Sequence, residues 1–257
     1  MTDPIRIRDQ VRERYGALAA GMGQGCCGPQ AAESVLPRLG YTEEQAAAIP
    51  TGANLGLGCG NPLAHAGVRP GETVLDLGSG AGIDAFLAAR ETGPGGKVIG
   101  VDMTPAMLER ARANAAHDGY DNVEFRLGEI EHLPVADASV DVIISNCVVN
   151  LSPFKEQVFR EAFRVLRPGG RLVVSDIVLV RPLPPAVRDS VAAYVGCVAG
   201  ACMKEDYLRF VRHAGFAPVE VVEENRYVPG ESSLGDMGID SAALEAAVAI
   251  KVRARKT

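Results

Sequence analysis

Asp76 and the glycines that follow it are the first residues in this sequence whose types and spacing suggest chemistry. The stretch Thr73-Val-Leu-Asp-Leu-Gly-Ser-Gly-Ala-Gly82 reads as a short buried β-strand running into a turn, and Ile83 to Arg90 then takes helical spacing. Gly78, Gly80 and Gly82 permit a sharp bend and a close backbone approach to a ligand. A strand, a glycine turn and a helix N-terminus together make a nucleotide-sized pocket at the carboxyl end of a parallel strand. The spacing is G-x-G-x-G and not G-x-G-x-x-G, and Asp76 sits two residues before the first glycine. A carboxylate there repels a pyrophosphate but suits the ammonium of a zwitterion such as S-adenosylmethionine. A nicotinamide oxidoreductase is disfavoured on the same ground.

Thiols are the second chemical resource. Six cysteines occur at positions 26, 27, 59, 147, 197 and 202, with no C-x-x-C pair, so zinc-ribbon and thioredoxin arrangements find little support. A free cysteine is most often a small core residue. The contexts of three of them argue for more. Cys26 and Cys27 lie in Gly21-Met-Gly-Gln-Gly-Cys-Cys-Gly-Pro29, and Cys59 lies in Asn54-Leu-Gly-Leu-Gly-Cys-Gly-Asn-Pro62. Such glycine-rich loops cannot bury a thiol inside regular structure. Cys147 follows the apolar, β-branched run Val140 to Ser145, which delivers Asn146 and Cys147 to the edge where a cofactor would sit. Cys197 and Cys202 lie on an alanine-rich apolar segment after a proline-rich linker, Arg181 to Pro185.

The elements that must position these groups alternate between strand and helix patterns, which predicts a parallel sheet covered on both faces. After the first unit, Lys97 to Val101 reads as strand two. It ends in Asp102 and Met103, with Thr104 as N-cap and Pro105 as first helical residue. Asp102 lies where a carboxylate reaches ribose hydroxyls. Val123 to Leu127 is strand three, followed by Glu129 and Ile130, which are placed to bracket an adenine ring. Val140 to Ser145 is strand four, Pro153 to Leu166 a helix stopped by Arg167-Pro-Gly-Gly170, and Arg171 to Ser175 strand five. Lys204 to Ala214 reads as a helix and Val219 to Glu223 as a strand. Val248 to Arg255 alternates as a closing antiparallel strand would. Its basic residues Lys251, Arg253 and Arg255, with Lys256, read as a solvated face. Ahead of the core, Ile5 to Leu18 and Thr42 to Ile49 are helical, the second capped by Thr42 and ended by Pro50. The expected division is an N-terminal cap with cysteine loops (1–70), a cofactor-binding core (71–180), and a substrate-site insertion with completion of the sheet (181–257). Glu231 to Asp240 reads as a loop.

Composition bounds the function. The net charge of −6 offers no basic stripe for nucleic acid. No run of about eighteen apolar residues proposes a membrane span. Met1 to Gln10 is charged and lacks the apolar core of a signal peptide, so the expected compartment is the cytoplasm, where thiols stay reduced.

These residues carry a resemblance. From about Gly71 onward the chain resembles class I S-adenosylmethionine-dependent methyltransferases. This implies a doubly wound, mostly parallel seven-stranded α/β sheet, with an N-terminal cap and an insertion after strand five. Tyr15-Gly16 with Cys26-Cys27-Gly28, the loop Gly56 to Pro62, Ser145-Asn-Cys-Val-Val-Asn-Leu151 and Gly196-Cys-Val-Ala-Gly-Ala201 together resemble arsenite methyltransferases. The chain departs from some members in ending soon after its last strand, and Cys202 has no counterpart. The resemblance implies that Cys59, Cys147 and Cys197 ligate trivalent arsenic and that Cys26 or Cys27 is a resolving thiol. It also implies arsenite or its thiol conjugates as substrate and thioredoxin or glutathione as reductant. Soft thiolates are natural ligands of soft arsenic. Two other readings are a methyltransferase of a small organic substrate, which needs a base near Asn146, and a non-enzymatic metalloid-binding protein, which leaves Asp76, the glycines and Asp102 unexplained.

Overall fold

The computed structural model describes residues 3–22, 36–227 and 245–257. The expectations for Cys26, Cys27 and the 231–240 loop fall outside them. Ahead of the sheet come α1 (Pro4–Ala19), α2 (Glu43–Ala48) and α3 (Leu63–Ala66). The core then runs β1 (Thr73–Leu77), α4 (Ile83–Thr92), β2 (Lys97–Asp102), α5 (Pro105–Asp118), β3 (Val123–Leu127), β4 (Val140–Asn146), α6 (Lys155–Val165) and β5 (Leu166–Leu179). Short helices α7 (Pro185–Arg188) and α8 (Val191–Val195), then α9 (Lys204–His213), β6 (Val219–Arg226) and β7 (Ala247–Arg255) complete it.

The seven strands form one sheet in the order β3-β2-β1-β4-β5-β7-β6. All neighbouring pairs are parallel except those of β7, which runs antiparallel to both β5 and β6. The expected architecture is therefore the observed one. Strand alternation assigns the two faces: Leu75, Leu77, Ile143, Leu172 and Val174 join the core on one side, and Val74, Val142, Ile144 and Val173 the core on the other. With both faces covered, the central strands are mostly apolar, with Asp76, Asp141 and Asp176 as the acidic exceptions. The order reverses between β1 and β4, so a crevice opens at their carboxyl ends.

Local details depart from the sequence reading in three places. The Arg167–Gly170 motif does not end in a free turn: Gly169 N–H donates to Lys256 O (2.6 Å) and Lys256 N–H to Gly170 O (2.9 Å). These bonds draw it into β5, which starts at Leu166. Thr104 occupies the N-cap position of α5 without a side-chain cap bond; Asp102 instead engages both its N–H, at 2.8 Å, and its side chain. Lys251 is not on a solvated face. It is 8% exposed, and its Nζ pairs with Glu223 Oε2 at 2.7 Å. The helix around Thr42 forms as expected, with a reciprocal capping box between Thr42 and Gln45.

Candidate active site

A cavity of about 700 Å³ occupies the crevice, a size typical of small-molecule sites. Its floor is the glycine turn. Gly78, Gly80 and Gly82 have φ of +67°, +52° and +102°. A Cβ on Gly78 would lie 2.3 Å from Val148 Cγ2, and one on Gly82 would lie 2.5 Å from Phe86 Cε2. These two positions therefore demand glycine for space as well as for backbone. The turn is held by Val101 O, which accepts from Gly78 and Ser79 N–H, and by Asp102 Oδ2, which accepts from Gly80 N–H at 3.0 Å.

Three carboxylates gather on this floor, Asp76 and Asp84 buried and Asp102 half-buried. Asp76 is 2% exposed, and its Oδ2 has no hydrogen-bond partner. Burial, then the negative charges of Asp84 and Asp102, push its carboxyl well above the usual range, and a backbone bond from Ala85 opposes them. Asp84, on the first turn of α4, is pushed up to about 6 by burial, against bonds from Tyr41 and Asn146. Asp102 is also raised by burial. The charges acting on Asp76 are thus negative ones, an arrangement that calls for a cation in the cavity.

The thiols converge on the adjoining wall. Cys59 reaches it because its flanking glycines let the loop press against the sheet ends: a Cβ on Gly58 would lie 3.0 Å from Asn146 Nδ2, and one on Gly60 would lie 2.2 Å from Ser175 Oγ. Cys147 directly follows β4, and its N–H donates to Ser175 O at 2.8 Å. Cys197 follows α8 and donates from Sγ to Cys147 O at 3.1 Å. Cys147 and Cys197 both sit in left-handed backbone, φ +60° and +64°. That conformation costs a non-glycine residue about 1–2 kcal/mol and is concentrated at functional sites. Cys59 Sγ, Cys147 Sγ and a carboxylate oxygen of Asp176 all lie within 4.8 Å of one another. Burial is the main cause that raises the Cys59 thiol. Hydrogen bonds with Cys197 and Cys59, then burial, raise Cys147 well above the usual thiol range. Both shifts favour the protonated thiol at Cys59 and Cys147.

Asn146 joins the two halves. Its Oδ1 accepts from Cys59 N–H at 3.0 Å. Its Nδ2 donates to Gly60 O (2.6 Å), Tyr41 Oη (3.0 Å) and Asp84 Oδ2 (3.1 Å), and Tyr41 in turn donates to Asp84 Oδ1 at 2.7 Å.

Of the residues singled out in the sequence, Asp76, Gly78, Gly80, Asp102, Met103, Ile130, Asn146, Cys59, Cys147 and Cys197 line this one cavity. Gly82 and Glu129 do not: a Cβ on Gly82 would point at Phe86 and Phe125, and Glu129 pairs with Arg8 and Arg12 of α1 while Glu131 takes the lining position. Cys202 stands apart, packed against the core and pushed up to about 11 by burial. Tyr41, Asp84 and Asp176 were not read from the sequence. A lone acid inside the apolar run Leu172 to Leu179 was a usable signal for Asp176, but nothing local marked Tyr41.

Residues 69–215 match a methyltransferase domain model. Over 95% of its length the chain is 49% identical to the arsenite methyltransferase of Halobacterium salinarum, covering 67% of that protein. The chain belongs to the arsenite methyltransferase family. Over 70% of its length it is 42% identical to the arsenite methyltransferase of Aquipseudomonas alcaligenes, spanning 53% of it, and it spans 48% of the mouse enzyme. It thus spans between 48% and 67% of these relatives' length. Among solved structures, an arsenic(III) S-adenosylmethionine methyltransferase from Chlamydomonas reinhardtii aligns with a TM-score of 0.68 and 36% identity, covering 91% of this chain and 75% of that one. The cofactor that goes with this class I methyltransferase assignment is S-adenosylmethionine, as expected from the glycine turn. No helix among the described residues is long and apolar enough to cross a membrane.

Proposed function

We propose that this chain transfers methyl groups from S-adenosylmethionine to trivalent arsenic held by Cys59, Cys147 and Cys197. The observation that carries this reading is the convergence of thiols from three separate stretches on one wall of the cofactor crevice, with Cys59 Sγ and Cys147 Sγ within 4.8 Å and Cys197 Sγ bonded to Cys147 O. The cofactor fits the residues present: the unpartnered, buried Asp76 Oδ2 complements its ammonium, Asp102 stands at the end of β2 for its ribose, and Met103 and Ile130 give apolar lining for its adenine. Bound there, it supplies a methyl group activated on a sulfonium sulfur.

The protein's part is ligation and positioning. Each thiol proton leaves with one hydroxide of arsenite as water, so three As–S bonds form and three waters depart. Arsenic held by three thiolates keeps one lone pair and carries no proton, so none of His65, His117, His132 and His213 is needed as a base. Catalysis is then orientation in a site from which water is excluded. Gaining a methyl group leaves arsenic formally pentavalent, and two thiols closing to a disulfide return it to the trivalent state with two electrons. Cys26 or Cys27 with Cys59 is the proposed pair, and thioredoxin or glutathione the reductant that reopens it. The reaction would serve arsenic detoxification in the reducing cytoplasm. Incubating the purified chain with labelled S-adenosylmethionine, a thiol and arsenite, and separating the arsenic species, tests the proposal. Unmethylated arsenite after many equivalents of cofactor would refute it and return the small-organic-substrate reading to first place.

A further inference from the structure

Asp176 has no part in the chemistry above, yet it is fully buried and stands within 4.8 Å of both Cys59 Sγ and Cys147 Sγ. We infer that Cys59, Cys147 and Asp176, joined by Cys197, form a binding site for a thiophilic divalent cation such as Cd²⁺ or Zn²⁺, four-coordinate where arsenic is three-coordinate.

The donors suit such an ion. Tetrahedral bonds of about 2.0–2.3 Å require donor separations of about 3.3–3.8 Å, so the three donors that lie within 4.8 Å of one another need to contract by at most about 1.5 Å, and Cys197, outside that group, must close on them as well. The Cys59 loop is anchored by Asn146 at Cys59 N–H and Gly60 O, so the adjustment falls to the Cys59 side chain, whose Sγ makes a long contact of 3.6 Å to Ser175 O. The carboxylate is already oriented: Tyr207 Oη donates to its Oδ2 at 3.1 Å and Ile177 N–H to its Oδ1 at 3.0 Å. Supporting bonds of this kind hold ligands in built metal sites, and with the further backbone bond from Asn150 the carboxylate still keeps a lone pair to give. Charge is partly balanced. Three thiolates and a carboxylate around a divalent ion carry two net negative charges, and the half-buried Lys155 acts on both Asp176 and Cys197.

The same carboxylate is a poor partner for arsenic. Trivalent arsenic fills three positions with sulfur and presents its lone pair at the fourth, and a carboxylate oxygen is too hard to displace thiolate from it. A closed-shell divalent ion has no such lone pair and accepts the fourth donor. On binding, three thiol protons pass to solvent as three S–metal bonds form, and no electrons are exchanged. If the arsenic reading holds, the cation blocks arsenite by occupying its thiols, but the site itself does not depend on that reading.

The test is equilibrium dialysis of the reduced full chain against Cd²⁺ and, separately, against arsenite, with the bound element counted by atomic spectrometry. One Cd²⁺ per chain is expected, lost in Cys147→Ser. Asp176→Asn should weaken Cd²⁺ by about tenfold or more while arsenite retention changes by less than about threefold. S-adenosylhomocysteine binding serves as the control for folding. ¹¹³Cd NMR of the unsubstituted chain gives the donor set without any variant, and a shift of the three-sulfur, one-oxygen class is expected. Cd²⁺ retained in Cys147→Ser, undiminished in Asp176→Asn, or bound by four sulfurs would overturn the inference. Cd²⁺ bound as expected while arsenite is not held would instead refute the arsenic proposal and leave the cation site standing.

Discussion

Replacing Asp76 with asparagine removes one negative charge from a floor that holds three carboxylates, and the burial of that floor sets the size of the effect. In the unfolded chain such a carboxyl titrates near pH 3.9; in the folded chain Asp84 keeps its proton up to about 6, and Asp76 is raised in the same direction. Over the intervening range the folded state binds more protons than the unfolded one. The stability this gives is therefore fully present below about pH 4 and is lost as pH rises through about 6. For Asp84 the loss at pH 7 is about 3 kcal/mol. Asp76→Asn should therefore stabilise the ligand-free chain at pH 7.5 by about 1–3 kcal/mol, or roughly 2–10 °C in Tm, and the gain should shrink at pH 5. Cofactor binding should move the other way. Depriving a buried ammonium of its carboxylate costs about 2–5 kcal/mol, roughly 30-fold to several-thousand-fold in affinity for S-adenosylhomocysteine. Methylthioadenosine, which lacks the amino-acid group, should bind parent and variant about equally. Differential scanning fluorimetry at the two pH values and calorimetry with both ligands read all of this. A variant that is less stable at pH 7.5 and binds S-adenosylhomocysteine unchanged would show that Asp76 is a structural acid, and the cation argument would fall with it.

The glycine positions divide by what a Cβ meets. Gly60→Ala puts a methyl group 2.2 Å from Ser175 Oγ; it should displace Cys59 and cut arsenite turnover by about tenfold or more, with S-adenosylhomocysteine affinity nearly unchanged in calorimetry. Gly78→Ala meets Val148 at 2.3 Å, whereas Gly80→Ala finds nothing nearer than Met107 Sδ at 4.0 Å. Gly80→Ala should therefore cost only the left-handed backbone, about 1–2 kcal/mol in chemical denaturation, and Gly78→Ala clearly more, together with cofactor binding. The thiols divide by substrate valence: a monomethylated trivalent arsenical has two exchangeable ligands where arsenite has three. Cys147→Ser and Cys197→Ser should lose activity on both, and Cys59→Ser on arsenite alone, in product analysis with a small-molecule thiol as reductant. Equal loss of both activities in Cys59→Ser would refute that division.

What the sequence made legible was whatever depends on near neighbours. The β1 run, the glycine turn and the helix after it are contiguous, so strand period, required left-handed backbone and helix start could be read together. The alternation of Val248 to Arg255 marked a strand with one polar side, and β7 is the strand that runs antiparallel. Cys147 was placed at the cofactor edge because it ends a strand, whereas the glycine loop marked Cys59 only as no core thiol and the family resemblance alone put it beside Cys147. What escaped was pairing over distance. Tyr41 meets Asp84 across 43 residues and Asn146 across 105, and no local pattern encodes either contact. Between β3 and β4 the chain is irregular, so no period told which of Glu129 and Glu131 faces the cavity. Lys251 looked like one charge of a basic cluster because its partner Glu223 lies on a different strand.

The longest-range of these pairings also explains why the two halves of the site belong together. Asn146 is the last residue of β4, at the switch point where the crevice opens, and one amide serves both halves: its oxygen holds the Cys59 backbone, and its nitrogen holds Gly60 and the Asp84–Tyr41 pair. A single planar group cannot rotate to satisfy one side without releasing the other. The thiol loop is thus fixed in register with the carboxylate floor by a side chain that belongs to the rigid sheet. In the proposed reaction, that is the requirement for a transfer that depends on distance and direction and has no proton to move.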